Sequence, residues 1–145
     1  VAGKMDNRVI AAYQQLGFKL VVDPSVNYSG YFDARSRSIT MKQIDDSVYH
    51  ELGHFLAFIA GNVDKTASFQ SIFAAEKANV TAFNKAYVTQ NASEYFAESV
   101  KDYILNNASL KNTRPQTYAA VQNALNQITD AQIAKIQKIY GAFWN

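Results

Sequence analysis

Residues 48–59 read Val48-Tyr49-His50-Glu51-Leu52-Gly53-His54-Phe55-Leu56-Ala57-Phe58-Ile59. Apolar side chains recur here at the three- and four-residue spacing of an amphipathic α-helix. Asp45 or Asp46 can cap the start of this helix, and Gly61-Asn62 favour a stop just after it. We therefore predict one helix between these two signals, called the central helix below.

Further elements are predicted on both sides of the central helix. Residues 4–16 have helical spacing, and β-rich runs follow at residues 18–22, 30–32 and 38–41. After the central helix, helical patterns cover residues 67–79 and 92–106, and Thr113 and Thr129 are expected to cap two more helices. The predicted fold class is α+β, mainly helical, with a small three-stranded sheet next to the central helix.

Length and composition limit the classes of protein to which the chain can belong. Its 145 residues, 48% of them hydrophobic, are expected to form a single domain over 1–145, with a sheet-bearing part at about 1–62 and a helical part at about 63–145. A net charge of +2 without a Lys/Arg run argues against a nucleic-acid partner. Without cysteine, any metal must be bound by histidine and carboxylate. The longest apolar stretch is too short to span a membrane.

The central helix contains a metal-binding pattern, His50-Glu51-Leu52-Gly53-His54. Residues i and i+4 share one helix face, so both imidazoles can bind the same ion. Glu51 lies about 100° further around the helix, from where its carboxylate can reach a water on that ion without being a ligand. Neutral imidazole suits zinc, so one Zn2+ ion is the expected cofactor and Glu51 the expected general base.

A catalytic zinc site needs a third protein ligand. A third histidine is excluded, because His50 and His54 are the only two in the chain. A carboxylate from a later helix is therefore expected. Glu94 is the best candidate, although Asn91 and Glu94 also have the spacing of a capping box. Glu98, one turn further, can orient an imidazole through its free ring N–H. Glu76 is the main alternative ligand.

The segments 50–54 and 86–98 resemble the catalytic domain of anthrax lethal factor and its small single-domain relatives, the secreted Pro-Pro endopeptidases of Gram-positive bacteria. The family pattern is a tyrosine followed seven residues later by a glutamate in a Glu-aromatic-Phe-Ala-Glu run, and Tyr87 and Glu94 meet that offset. The resemblance is best over residues 28–106. It implies a zincin-like fold and a zinc metalloendopeptidase of the gluzincin type.

The resemblance implies roles for six residues: His50, His54 and Glu94 as zinc ligands, Glu51 as general base, Glu98 as a partner of the ligands, and Tyr87 as oxyanion stabiliser. The substrate is expected to be a protein or peptide bound in extended form along an exposed strand edge. Tyr31 and Phe32 are the candidate substrate-binding residues, with Ile39 and Met41 as alternatives. The resemblance also allows prolines beside the cut.

Other functions stay open at this point. The same ligands would serve an intracellular regulatory zinc protease. They would also serve a non-catalytic zinc-binding domain that docks a partner, although the intact Glu51 argues against that hypothesis. A helical binding module with incidental histidines is the remaining alternative. By resemblance, we expect a secreted protein, matured by removal of a signal peptide. We also expect a monomer.

Overall fold

A computed structural model of the protein describes residues 2–144 and confirms the predicted α+β class. The strands are β1 (Lys19–Val22), β2 (Gly30–Asp33) and β3 (Ser38–Met41). The helices in this range are α1 (Asn7–Gln15), α2 (Ser47–Ile59), α3 (Ala67–Glu76), α4 (Lys85–Val88), α5 (Ala92–Leu105), α6 (Asn107–Thr113), α7 (Pro115–Asn126) and α8 (Asp130–Trp144). Each of these helices is too short or too polar to cross a bilayer.

The three strands form one mixed sheet in the order β1-β3-β2. β1 runs parallel to β3, and β2 runs antiparallel to β3 with Gly30 opposite Met41. Ile39 and Met41 on β3 are fully buried and belong to the core. β2 packs against α2 and is an outer strand of the sheet, so one of its edges has no strand partner among residues 2–144.

The predicted central helix is α2, and it packs most closely on α5. Phe55, Leu56 and Ile59 of α2 are completely buried in the core. A Cβ atom at Gly53 would lie only 2.7 Å from the carbonyl oxygen of Ala97 on α5. Glycine at this position therefore lets the two helix backbones touch, and both helices bear residues of the predicted metal site.

Several helix ends follow the predicted capping signals. Of the two candidates before α2, Asp46 takes the N-cap position but its side chain makes no capping hydrogen bond, while Asp45, one residue earlier, accepts one from the backbone N–H of Ser47 at 2.9 Å. Asn91 accepts one from the N–H of Glu94 at 2.8 Å and so caps α5. Thr129 accepts one from the N–H of Gln132 at 3.1 Å, which confirms it as the cap of α8.

The predicted cap at Thr113 is wrong. Thr113 ends α6, and its hydroxyl donates to the carbonyl of Ser109 within that helix. α7 begins at Pro115, and the backbone N–H groups of Gln116 and Thr117 donate to the carboxylate of Glu76. Glu76 lies about 40 residues earlier in the sequence. A carboxylate so distant in sequence gives no local signal, and a nearby threonine was therefore the only visible candidate.

The apolar spacing of the sequence also failed to predict two short helices, α4 and α6. α4 is a single turn of four residues, which is too short to show a helical period. α6 has Leu110 as its one buried residue, so its sequence carries no apolar stripe. The chain after the sheet thus has seven α-helices within the described range instead of about five.

Candidate metal centre and its cleft

Three side chains from two helices meet at one point. His50 and His54 come from α2 and Glu94 from the first turn of α5, and one ligand atom of each lies within 4.8 Å of the other two. Nε2 of His54 is 2.8 Å from Oε1 of Glu94, and Nε2 of His50 is 3.5 Å from Oε2 of Glu94. Two imidazoles and a carboxylate are a donor set that holds zinc and leaves a fourth position free.

The start of α5 aims Glu94 at the histidines. Asn91 caps the helix through the backbone N–H of Glu94, but the Glu94 carboxylate does not return the bond as a capping box would. Ser93, next to it, donates a hydrogen bond of 2.6 Å to the buried Asp64 and ties the turn down. Asn91 therefore caps the helix on its own, and the Glu94 carboxylate stays available to His54.

Glu98 takes the place predicted for a partner of the ligands. Its Oε1 atom lies 2.8 Å from Nδ1 of His50, while Nε2 of the same ring faces Glu94. A carboxylate that accepts the Nδ1 proton keeps Nε2 free for a metal. The i, i+4 spacing of Glu94 and Glu98 thus matches the two nitrogens of one imidazole.

The residues present fit a divalent cation. Oε2 of Glu94 is buried and accepts no hydrogen bond of normal geometry in the described part of the chain. A buried carboxylate oxygen without a donor costs free energy, which a bound cation would recover. Since the neighbouring donors are two imidazoles, the set suits zinc better than calcium or magnesium, which prefer oxygen ligands.

Strong mutual attraction among these groups appears in their pKa values. Burial alone would lower the pKa of His50, but the contacts of its ring with the carboxylates of Glu94 and Glu98 outweigh it and raise that pKa to about 9. Burial would raise the pKa of Glu94, yet its contacts with His50 and His54 hold that pKa well below its ordinary value. A metal ion would replace the protons that these contacts favour.

Glu51 lies beside this centre at the bottom of a cleft. It is 7% exposed, and burial raises the pKa of its carboxyl group although His50 and His54 oppose the shift. The backbone of β2 packs directly on it, since a Cβ at Gly30 would lie 2.8 Å from Cγ of Glu51. Such a raised pKa suits a general base that must take up a proton and then release it.

Tyr87 reaches the same cleft from α4. Its side chain is 55% exposed, while the adjacent Val88 is fully buried and anchors this short helix. Partial burial, and then the negative charges of Glu94 and Glu51, raise the pKa of the Tyr87 hydroxyl. The hydroxyl therefore stays protonated at neutral pH and can donate a hydrogen bond.

The two candidate substrate residues lie on opposite sides of β2. The ring of Phe32 stacks on that of His54 at 6.5 Å, and Phe32 also belongs partly to the core. Tyr31 is exposed and contacts Tyr28, whose side chain lines the cleft. The structure therefore places Phe32 beside the centre and Tyr31 near the cleft mouth.

The cleft has a volume of about 440 Å3. Its walls include residues that the sequence did not single out: Tyr28, Ser29, Gly30, Asn84 and Lys101. Lys101 follows Glu98 by three residues on α5, so the helical period could have placed it on the same face. The four others come from loops or a strand end, where no spacing rule indicates a shared cavity.

Comparison with known families assigns the chain to one of them. The sequence model described as "Anthrax toxin lethal factor, N- and C-terminal domain" matches residues 19–124, well over half of the 145. No curated protein matches the chain significantly. The matched range includes α2 and α5, which bear the candidate metal centre, and α4, which bears Tyr87. The match confirms the resemblance drawn from the motifs. The chain belongs to the anthrax toxin lethal factor family.

Proposed function

We propose that this chain is a zinc-dependent endopeptidase of the gluzincin type. The observation that carries the proposal is the convergence of His50, His54 and Glu94 beside the buried carboxylate of Glu51, at the bottom of an open cleft. Family membership alone does not assign an activity, because the family description covers both an N-terminal and a C-terminal domain. The proposal therefore rests on the residues of the site.

The catalytic roles follow from where these residues lie. When bound, zinc supplies a water whose pKa falls towards about 7, and it polarises the scissile carbonyl. Glu51 takes the proton from the attacking water and then passes it to the nitrogen of the leaving amine. His50 and His54 hold their ring orientation through the contacts with Glu98 and the packing of Phe32.

Tyr87 would stabilise the negative charge that develops on the attacked carbonyl oxygen. Tyr87 lines the same cleft as Glu51, and its protonated hydroxyl is close enough to Glu94 and Glu51 for their charges to raise its pKa. A donor that meets charge only in the transition state lowers the barrier without tightening the binding of the substrate. The exposed position of the Tyr87 side chain is compatible with this role.

The substrate would bind in extended form along the free edge of β2. Unpaired backbone N–H and C=O groups at a strand edge can add a peptide strand. The start of β2 lies against Glu51, which brings such a peptide to the base. Tyr28 and Tyr31 flank this end of the strand.

Cleavage of a diverse peptide library, read by mass spectrometry, tests the proposal. Wild-type protein is expected to cut peptides, and Glu51→Gln, which keeps the shape of the side chain, is expected to cut on the order of 100- to 10,000-fold more slowly. Equal zinc content in the two proteins is the control. Cuts made equally by both proteins, or no cuts by zinc-loaded wild type, would contradict the proposal.

Three further expectations stay predictions: a single domain, a monomer and an extracellular location. They follow from length and from the family resemblance. Sedimentation of the purified protein would test the monomer, and detection of the protein in culture medium of its host would test secretion.

A further inference from the structure

A second, apolar cavity lies one helical turn beyond His54 on α2. It has a volume of about 400 Å3 and is lined by Ala34, Arg35, Phe58, Tyr140, Phe143 and Trp144. Residues i and i+4 share one helix face, so Phe58 follows His54 along the same side of α2, about 6 Å further on. None of the hydrolytic roles proposed above uses this cavity.

The walls of the apolar cavity are held in place. Trp144 donates its indole N–H to the carbonyl of Ala34 at 2.9 Å, and the guanidinium of Arg37 lies 5.2 Å from the centre of its ring. The ring of Tyr140 packs on that of Phe58 at 4.8 Å. Phe143, in contrast, is 76% exposed. The cavity is therefore preformed, aromatic and open, as ligand sites commonly are.

β2 connects this cavity to the base. The first residue of β2, Gly30, packs on Glu51, and the residues that follow its end, Ala34 and Arg35, line the cavity. Between them the ring of Phe32 lies 6.5 Å from that of His54 and 6.2 Å from that of Phe58. A peptide on the free edge of β2 that extends one or two residues past the end of the strand would thus reach the cavity.

The length of the strand sets which substrate residue arrives there. At about 3.4 Å per residue, the path from Gly30 to Ala34 corresponds to roughly four residues. Antiparallel pairing is the more stable arrangement per residue, and it places the N-terminal part of the substrate beside Asp33 and Ala34. The cavity therefore lies on the N-terminal side of the scissile bond.

We propose that the apolar cavity is a substrate subsite, which takes a bulky aromatic side chain three or four residues before the scissile bond. This inference rests on the proposed function, since it needs a peptide bound along β2. Its aromatic walls offer contact area and ring packing to such a side chain, whereas a glycine at the same position would gain neither. The subsite would thus select among peptides that the metal centre cuts equally well.

Library digestion tests the subsite in wild type, Phe143→Ala and Ile139→Ala. Phe143 is an exposed wall of the cavity, and Ile139 is a matched exposed residue of α8 that does not line it. We expect Phe, Tyr and Trp to be enriched three or four residues before the cuts of wild type and Ile139→Ala. For a peptide with Phe at that position, kcat/KM should fall about tenfold in Phe143→Ala, and for its Gly counterpart it should not change.

A second readout does not depend on catalysis. Trp144 is the single tryptophan of the chain and lines the cavity, so its emission reports occupancy. The Glu51→Gln variant is used because it should bind the peptide without cutting it. Addition of the intact peptide with Phe at the subsite position should shift the Trp144 emission, and addition of its Gly counterpart should not.

The outcomes separate the two proposals. Absence of any cut by zinc-loaded wild type would overturn the endopeptidase and the subsite together. Cuts without aromatic enrichment would overturn the subsite alone. The subsite would also be overturned if, without any peptide, the Trp144 emission shifted with protein concentration, because a second copy of the chain would then fill the cavity.

Discussion

Two glutamates of this protein, the half-buried Glu94 and the buried Glu76, have opposite hydrogen-bonding states. Glu76 accepts three hydrogen bonds at the start of α7, from the backbone N–H groups of Gln116 and Thr117 and from the Thr117 hydroxyl, at 2.7–3.0 Å. Glu94 faces two imidazoles, and one of its oxygens has no hydrogen-bond partner in the described chain. Both had the residue type and helical setting of a third metal ligand.

The difference teaches how to separate a structural carboxylate from a binding one. The donors around Glu76 are fixed backbone N–H groups at a helix N-terminus, which satisfy the charge completely. The donors around Glu94 are two imidazoles that are themselves candidate metal ligands, and they leave the carboxylate incompletely satisfied. The spare oxygen is therefore the feature that favours Glu94 over Glu76 as the proposed third ligand. Each of the following substitutions is expected to widen this contrast or to remove it.

The largest effect is expected for Glu94→Gln. Loss of the charged ligand should lower zinc affinity by more than roughly 100-fold, beyond the usual effect of changing an outer partner of a ligand, and peptidase activity should disappear. Competition titration with a chelating dye measures the affinity. Glu76→Gln is the matched control and should bind zinc as wild type does. A folded Glu76→Gln protein that has also lost zinc would remove the contrast between the two regions.

Tyr87→Phe is expected to have the next largest effect. Removing one donor to a developing oxyanion raises the barrier by about 2.7–4 kcal/mol, which corresponds to a roughly 100- to 1000-fold lower kcat. Zinc content and thermal stability should not change, because the Tyr87 side chain is half exposed. Steady-state kinetics on one cleaved peptide gives the result, and an unchanged kcat with zinc bound would show that Tyr87 has no catalytic role.

Glu98→Gln should have a smaller effect on the same centre. The amide still reaches Nδ1 of His50 but accepts its proton more weakly, so zinc affinity should fall between roughly 10- and 100-fold. The same dye competition measures it. An affinity equal to that of wild type would mean that the contact between His50 and Glu98 only packs the two helices together.

The smallest effect is expected for Glu76→Gln, and it is on stability. The amide nitrogen replaces one of the two carboxylate oxygens and turns a donor towards the backbone N–H of either Gln116 or Thr117, and an unsatisfied buried group costs about 1–3 kcal/mol. Urea denaturation should show a lower midpoint with an unchanged slope. A midpoint equal to that of wild type would indicate that Glu76 does not stabilise the start of α7.

The sequence predicted which candidate ligands lie together better than it predicted the helix ends. The spacing of His50 and His54, and the cap at Asn91, are local patterns that a helix realises wherever it packs. The choice between Glu94 and Glu76 was left open by spacing, because it depends on which helix packs on α2. Gly53 permits that packing through its close approach to Ala97, a contact between residues 44 positions apart.

The remaining misses have the same physical origin. Thr113 has the residue type of a helix cap, but the group that caps α7, the Glu76 carboxylate, comes from a distant helix. The cleft residues Tyr28 and Asn84 come from loops, and the apolar cavity forms only where α8 docks on the turn after β2. Tertiary contacts decide all of these, and no local period encodes them.

Anomalous diffraction at the zinc edge, from crystals of the protein loaded with one equivalent of zinc, tests the central claim most directly. We predict a single strong peak about 2.0–2.2 Å from Nε2 of His50, Nε2 of His54 and a carboxylate oxygen of Glu94. A peak at other residues, or none at these three in protein that contains zinc, would contradict the assignment of the metal centre.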